Sequence, residues 1–103
     1  MRVGYRTWCL AEILVEERPR RVRLTGSLDA SVAPQLEQTL SWSECCVVDC
    51  WGLTAVDTEV LRAFVVAHER VEERGSHLIF VGLGGSPLEQ IHLRCLDEVL
   101  HLA

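Results

Sequence analysis

The sequence lacks lysine, a long apolar run and any excess of positive charge. Its ten basic residues are all arginine and stand against fifteen acidic residues, for a formal net charge of −5. A nucleic-acid backbone needs a basic face to neutralise its phosphates, so this balance argues against nucleic acid as the main partner. No eighteen apolar residues run together and no signal-peptide pattern opens the chain. We therefore expect a cytoplasmic protein without a membrane span.

The sequence also lacks a C-x-x-C motif, although it has five cysteines. In a cytoplasmic chain such cysteines are expected to be reduced thiols. Four of them lie in apolar contexts, which predict core positions. His92 and Cys95 have a metal-ligand spacing, but they complete no tetrahedral set. His68 has the position of a core histidine, while His77 and His101 are scattered. The sequence therefore predicts neither a metal site nor another cofactor.

The length of 103 residues predicts one domain, which we expect to span residues 1–103. Alternating apolar residues predict a hairpin of two strands, over residues 8–16 and 21–28, with a turn around Pro19. Residues 45–53 read "CCVVDCWGL" and are almost continuously apolar. Such a run is typical of a central strand covered on both faces.

Three helices are predicted from periodicity and capping signals. Ser31 is a candidate N-cap for a short helix that ends near Trp42. A period of 3.6 residues predicts a second helix over Thr58–Arg74, closed by Gly75. Its inward-facing residues are predicted to be Leu61, Phe64, Val65, His68 and Val71.

The remaining elements are a strand over residues 77–83 and a closing helix. Ser86, Pro87 and Glu89 have the spacing of a helix N-cap, first position and capping box. The resulting order, ββαβαβα, implies a mixed sheet with parallel neighbours. The apolar residues expected to carry the closing helix are Leu88, Ile91, Leu96, Val99 and Leu100.

The segment "LTAVDTEVLRA", residues 53–63, contains several side chains that can cap a helix. Either Thr54 caps with Asp57 three residues on, or Asp57 caps and Thr58 and Glu59 form the first turn. A turn at the carboxyl edge of a sheet is also a common place for binding groups. The dipole of the helix would stabilise both acids as anions, so nothing indicates a general acid. We do not expect an enzyme.

Three stretches of the sequence resemble the STAS domain, the fold of bacterial anti-sigma factor antagonists. They are "VRLTGSLDASVAPQLEQTL", "CCVVDCWGLTAVDTEVLRAFVVAHERVEERGSHLIFVG" and "PLEQIHLRCLDEVLHL", which together cover roughly residues 10–103. The most specific pieces are "LTGSLD", "VVDCWGLTAVDT" and "LRCLDEVL". The resemblance implies an α/β, STAS-like single domain with a mixed four- to five-stranded sheet and helices packed on it. It also implies a non-enzymatic protein-binding function.

In that family the segment after the central strand reads Asp-Ser-Ser-Gly-Leu, and a partner kinase phosphorylates the second serine. By position, Asp57 matches the aspartate, Thr58 the first serine, Glu59 the phosphoacceptor, Val60 the glycine and Leu61 the leucine. Glu59 cannot be phosphorylated, so the resemblance implies that the usual switch is absent there. Glu59 can act as a fixed substitute for phosphoserine, with one negative charge against about −1.5 to −2. Thr58 keeps a hydroxyl and is the alternative acceptor.

The partner implied by the resemblance is an anti-sigma factor of histidine-kinase-like ATPase fold. Its contact is expected at the start of the second helix and at the neighbouring loop "GSLDAS", Gly26 to Ser31, which presents Asp29, and a homodimer is left open. The residues expected to form this contact are Asp29, Ser31, Asp57, Thr58, Glu59 and Arg62.

Two other functions remain open. STAS subunits of bacterial ABC lipid-transport complexes have Asp-Thr in place of Asp-Ser, and Asp57–Thr58 is similar; there the domain binds the ATPase subunit. Val60 fits neither branch, since both usually carry glycine. A thiol-based redox-sensing regulator is the third hypothesis, because Cys95 replaces the glycine usual in the closing segment. The other expectation for Cys95 is a buried filler of the core.

Overall fold

The computed structural model describes the backbone of residues 7–10, 13–17, 20–41 and 46–103, and the side chains of residues 21–41 and 47–103. The strands are β1 (Thr7–Leu10), β2 (Ile13–Glu17), β3 (Arg20–Leu28), β4 (Cys46–Val56), β5 (Leu78–Val81) and β6 (His101–Leu102). The helices are α1 (Ala33–Ser41), α2 (Thr58–Glu73) and α3 (Gly85–Leu93), and a 3-10 helix (Leu96–Glu98) precedes β6.

The strands form one mixed sheet in which their spatial order is their order in the chain. β1, β2 and β3 are antiparallel neighbours, and β3, β4, β5 and β6 are parallel neighbours. This confirms the predicted α/β fold with a mixed sheet. The described strands number six rather than four to five. The strand predicted over residues 8–16 is two antiparallel strands, and two residues beyond the expected closing helix form β6.

One buried cluster joins the three helices to the sheet. Its largest members include Phe64 on α2, Phe80 on β5, Leu36 on α1 and Ile91 on α3, all without exposed surface. The prediction for α2 is confirmed: Leu61, Phe64, His68 and Val71 are buried, and Val65 is partly buried against the cluster. The helix ends as predicted, because Gly75 takes a φ of +80°, which glycine adopts without steric cost.

β4 is buried on one face, so the prediction of a strand covered on both faces is wrong. Trp51 is 78% exposed. Asp49 lies on the same face and meets the arginines of β3, with its carboxylate 3.5 Å from Nε of Arg23 and 4.0 Å from Nη1 of Arg21. The half-exposed arginines of β3 therefore form the solvated strand surface that their charge indicates.

Two bulges in β4 explain why its sequence looks continuously apolar. Pairing with β3 places one extra β4 residue between Asp49 and Gly52 and another between Leu53 and Ala55. Each extra residue reverses the alternation of side chains between the two faces of the sheet. Both odd-numbered and even-numbered residues can therefore face the core, and the buried ones are Val48, Cys50, Leu53 and Val56.

The predicted start of α1 is wrong by one residue. The Val32 carbonyl accepts a helical hydrogen bond from the Leu36 amide at 2.9 Å, so Val32 rather than Ser31 is the residue before the helix, and the Ser31 hydroxyl donates to Asp29 Oδ1 at 2.5 Å. The chain instead turns through residues 30–32, and α1 begins at Ala33. The helix ends at Ser41, and the predicted end at Trp42 lies outside the described residues.

The single closing helix is also wrong, because the chain leaves the right-handed helical conformation after α3. Cys95 takes a φ of +57°, in the left-handed region, and the short 3-10 helix follows it. At the other end of α3, Gly84 is the N-cap and the capping box of Ser86 and Glu89 is absent from the described hydrogen bonds. No helix among the described residues combines the length and apolar character that a bilayer crossing needs.

Candidate functional site

The two parts of the predicted contact surface leave the sheet side by side. Leu28 at the end of β3 and Val56 at the end of β4 are partners in a parallel pair. Neighbouring strands lie about 4.8 Å apart. The residues that follow them, Asp29 and Asp57, therefore lie at the same carboxyl edge of the sheet. This edge is a common place for binding groups.

Asp57 is the N-cap of α2. Its backbone is extended, with φ −106° and ψ 179°, and its Oδ1 accepts a hydrogen bond from the Val60 amide at 3.1 Å. Of the two capping alternatives, the one with Asp57 as the cap is confirmed, because Thr54 lies within β4. The cap orients the first turn of α2 and leaves Thr58 and Glu59 exposed.

Asp29 is held by Ser31 in a tight turn. Oδ1 of Asp29 accepts hydrogen bonds from the Ser31 hydroxyl at 2.5 Å and from the Ser31 amide at 2.9 Å. These two bonds, the hydroxyl's first, lower the pKa of the Asp29 carboxyl from its ordinary value of 3.8. Asp29 is thus a fixed anion, and the role of Ser31 is to orient it.

Arg94 also belongs to the site, although it is not among the residues predicted from the sequence. It is the C-cap of α3, and its Nη2 donates a hydrogen bond to Oγ1 of Thr58 at 3.1 Å. The neighbouring Leu93 is 82% exposed, the largest exposure among the described large apolar residues. Thirty-six positions separate Arg94 from Thr58. A local sequence pattern therefore carries no signal of this contact.

Glu59 and Arg62 are exposed on the first turns of α2. Neither side chain makes a hydrogen bond or ion pair with another described residue. Glu59 lies in the first turn, where the helix dipole favours a negative charge. Its carboxylate is therefore available to a partner without first breaking a contact within the described fold.

These residues form one surface, which we call the helix-start surface. It presents acids, two hydroxyls and two arginines, a combination suited to hydrogen bonding and ion pairing with another protein. The members of the helix-start surface are Asp29, Ser31, Asp57, Thr58, Glu59, Arg62 and Arg94.

The two cysteines with described side chains differ in their surroundings. Cys50 is buried as predicted, and burial together with the nearby Asp49 raises the pKa of its thiol to about 12. Cys50 is therefore a poor nucleophile. Cys95 is exposed, so the expectation of a buried filler is wrong for this residue. Its position follows from the turn after α3, which directs the residue away from the core.

Three histidines, His68, His77 and His101, come together around Glu72 near the end of α2. His77 Nδ1 and His101 Nε2 both donate to Oε2 of Glu72 at 2.9 Å. The ring of His68 lies edge-on to that of His101, with ring centroids 5.2 Å apart. The description of His77 and His101 as scattered is therefore wrong, whereas His68 is buried as predicted. The His68–Glu72 spacing of four was the available signal, since it places both side chains on one helical face.

The fold is a small α/β domain, and its candidate site is a group of polar side chains at the start of α2. A family model described as "Mlab, STAS domain" matches residues 14–102. The chain therefore belongs to the STAS domain family. No curated protein matches it.

Solved structures with the same fold include three described as anti-sigma factor antagonists. SpoIIAA in its unphosphorylated form is 12% identical, with a TM-score of 0.64 over 97% of this chain and 87% of SpoIIAA. An antagonist from Mycobacterium paratuberculosis is 19% identical, with a TM-score of 0.68 over 96% and 83%. A candidate antagonist from Thermotoga maritima is 11% identical, with a TM-score of 0.68 over 95% and 84%. At these identities the likeness shows the anti-sigma factor antagonist-like fold.

Proposed function

We propose that this STAS domain is a non-enzymatic transcription regulator that acts as an anti-sigma factor antagonist. The observation that carries the proposal is the capped start of α2, where Asp57 fixes the backbone and leaves Thr58 and Glu59 exposed beside Asp29. The fold shared with proteins described as anti-sigma factor antagonists supports it. The helix-start surface is then the contact with the partner.

The partner proposed is an anti-sigma factor of histidine-kinase-like ATPase fold. Glu59 stands where such antagonists carry the phosphorylated serine, and its exposed carboxylate has no described intramolecular partner. A permanent charge at this point gives the domain one fixed binding state in place of a phosphorylation switch. Thr58 is the remaining hydroxyl, and the nearby Arg94 is a suitable counter-ion for a phosphate on it.

The first test is affinity capture with the wild-type chain and with Glu59→Arg, followed by mass spectrometry. We expect a histidine-kinase-like ATPase that is captured by the wild type and lost with Glu59→Arg. The reversal of charge is placed at Glu59 because Asp57 also caps α2, so Asp57→Arg would change the fold and the surface together. Glu69→Arg is the matched control, since Glu69 is an exposed glutamate on the same helix outside the helix-start surface.

The second test uses the purified partner with Glu59→Ser. We expect a changed affinity for the partner, and transfer of phosphate from ATP to the introduced serine, measured by calorimetry and intact-mass spectrometry. Unchanged affinity and no phosphate on the introduced serine would contradict the idea of a fixed state. Equal loss of capture by Glu59→Arg and Glu69→Arg would show that the contact is not specific to the helix-start surface.

A second candidate is an adaptor subunit of a bacterial ABC lipid-transport complex. Asp57–Thr58 favours it, because the STAS subunits of such complexes have Asp-Thr in place of Asp-Ser and Thr58 is exposed at the start of α2. The comparisons leave both candidates open, since the family model is described as Mlab and the solved structures as anti-sigma factor antagonists. The same capture distinguishes them: an ABC ATPase with its permease, lost with Glu59→Arg, would identify the adaptor.

A further inference from the structure

Four side chains from three parts of the chain meet away from the helix-start surface. His68 and Glu72 lie one turn apart on α2, His77 lies between α2 and β5, and His101 begins β6. Both His77 and His101 approach the same oxygen of Glu72, at 2.9 Å each. We call this group the histidine cluster. It has no part in the proposed protein contact.

Three members of the cluster have the geometry of a metal site. One ligand atom from each of His68, Glu72 and His101 lies within 4.8 Å of the others. No other group of histidine, cysteine or acidic side chains among the described residues has this geometry. Two imidazoles and a carboxylate are a donor set suited to zinc and other divalent transition ions.

The burial of His68 is an independent indication of a ligand. The residue is 8% exposed, and its Nδ1 is buried without a hydrogen-bond partner among the described residues. A buried nitrogen that lacks a partner is unfavourable, and each exception needs a reason. Glu72 and His101 are partly exposed beside it, with about a third and a half of their side chains accessible. An ion can therefore reach the cluster from solvent.

We propose that the histidine cluster binds a divalent transition-metal ion, with zinc as the ion that fits its donors. His68, Glu72 and His101 are three ligands, and water can take the fourth position of a tetrahedral site. Tetrahedral zinc with bonds of about 2.0–2.1 Å needs ligand atoms roughly 3.4 Å apart. The partly exposed Glu72 and the exposed His101 side chains can rotate to bring their ligand atoms to that separation, while the buried His68 stays in place.

Such an ion would join two separate elements. His68 and Glu72 belong to α2, whereas His101 belongs to the two-residue strand β6, which pairs only with Ile79 and Phe80 in the described sheet. A bound ion would therefore fix β6 to α2 and stabilise the folded chain by binding it in preference to the unfolded one.

The test is a zinc titration of the tag-free full-length chain, stripped with a chelator and kept reduced, against a chromogenic chelator as competitor. We expect one equivalent bound, with an increase in the melting temperature. His101→Ala and Glu72→Gln should each weaken binding by at least about tenfold. Both variants change groups that are at least partly exposed, so we expect both to fold. Circular dichroism verifies this.

Two control variants exclude other sites. His92→Ala removes an exposed histidine that pairs with Asp97 outside the cluster, and it should bind zinc as the wild type does. Cys95→Ser removes the exposed thiol and should also have no effect. The proposal is overturned if His101→Ala and Glu72→Gln bind as the wild type does, if Cys95→Ser alone abolishes binding, or if the wild type binds no zinc.

Discussion

At the scale of single residues, the end of α3 depends on a backbone conformation that its residue type disfavours. Cys95 has a φ of +57°, and among the described residues it is the only one other than glycine with a positive φ. Left-handed backbone brings Cβ too close to the following carbonyl oxygen in any residue but glycine. Cys95 is an exception that the rest of the fold tolerates.

Cys95→Gly is expected to increase the free energy of unfolding by about 0.5–1 kcal/mol, because glycine removes the strain but loses more chain entropy on folding. Urea unfolding monitored by circular dichroism measures the change. Cys95→Ala is the matched control, since it removes the thiol and keeps the strain. Equal stability of the glycine and alanine variants would contradict this explanation.

At the scale of secondary-structure elements, the join between β4 and α2 determines what the domain presents to a partner. β4 ends at Val56 beside the end of β3, and α2 begins two residues later at Thr58. Asp57 between them accepts the Val60 amide and closes the first turn. A single side chain thus both stabilises the helix and contributes its charge to the helix-start surface.

Asp57→Ala is expected to lower the free energy of unfolding by about 1 kcal/mol, because alanine cannot accept the Val60 amide. Asp57→Asn should keep most of that stability, since asparagine is an equally good N-cap. Urea unfolding of the three proteins gives the comparison. The Asn variant also separates the two roles of Asp57: a variant that remains stable but binds the partner weakly identifies the charge as the binding feature.

At the scale of the whole molecule, the sheet and helices are held together by one buried cluster. Phe64 of α2 and Phe80 of β5 lie at its centre, with ring centroids 4.9 Å apart and planes tilted by 49°. Both are without exposed surface. Tilted aromatic pairs add to the free energy gained from burial. The cluster therefore connects α2, and with it the helix-start surface, to the sheet.

Phe64→Ala is expected to lower the free energy of unfolding by about 3–5 kcal/mol, because it removes a buried ring and leaves a cavity. That is a large part of the about 5–15 kcal/mol typical of a domain. Chemical denaturation of the variant gives the value. Ile79→Ala, at a partly exposed position on β5, should lower it much less. Similar losses in the two variants would show that this cluster is not the main source of stability.

Some of the fold and of the helix-start surface could be predicted from local patterns. The period of 3.6 residues in α2 identified its buried face, and Gly75 identified its end. Asp57 was one of two caps consistent with the residue types, and the choice needed the end of β4. The exposure of Trp51 was not predicted, because bulges in β4 change which residues face the core, and a bulge depends on pairing with another strand.

The family was indicated by motifs that resemble the STAS domain, and the order of the main helices and strands and the charged residues at the start of α2 were predicted from the amino-acid sequence. These follow from local periodicity, capping and short motifs, which act between neighbouring residues. The tertiary structure alone decided that Arg94 contacts Thr58 and that His68, His77 and His101 meet at Glu72. Such contacts join residues separated by up to tens of positions, and the distance between them is determined by how helices pack on the sheet.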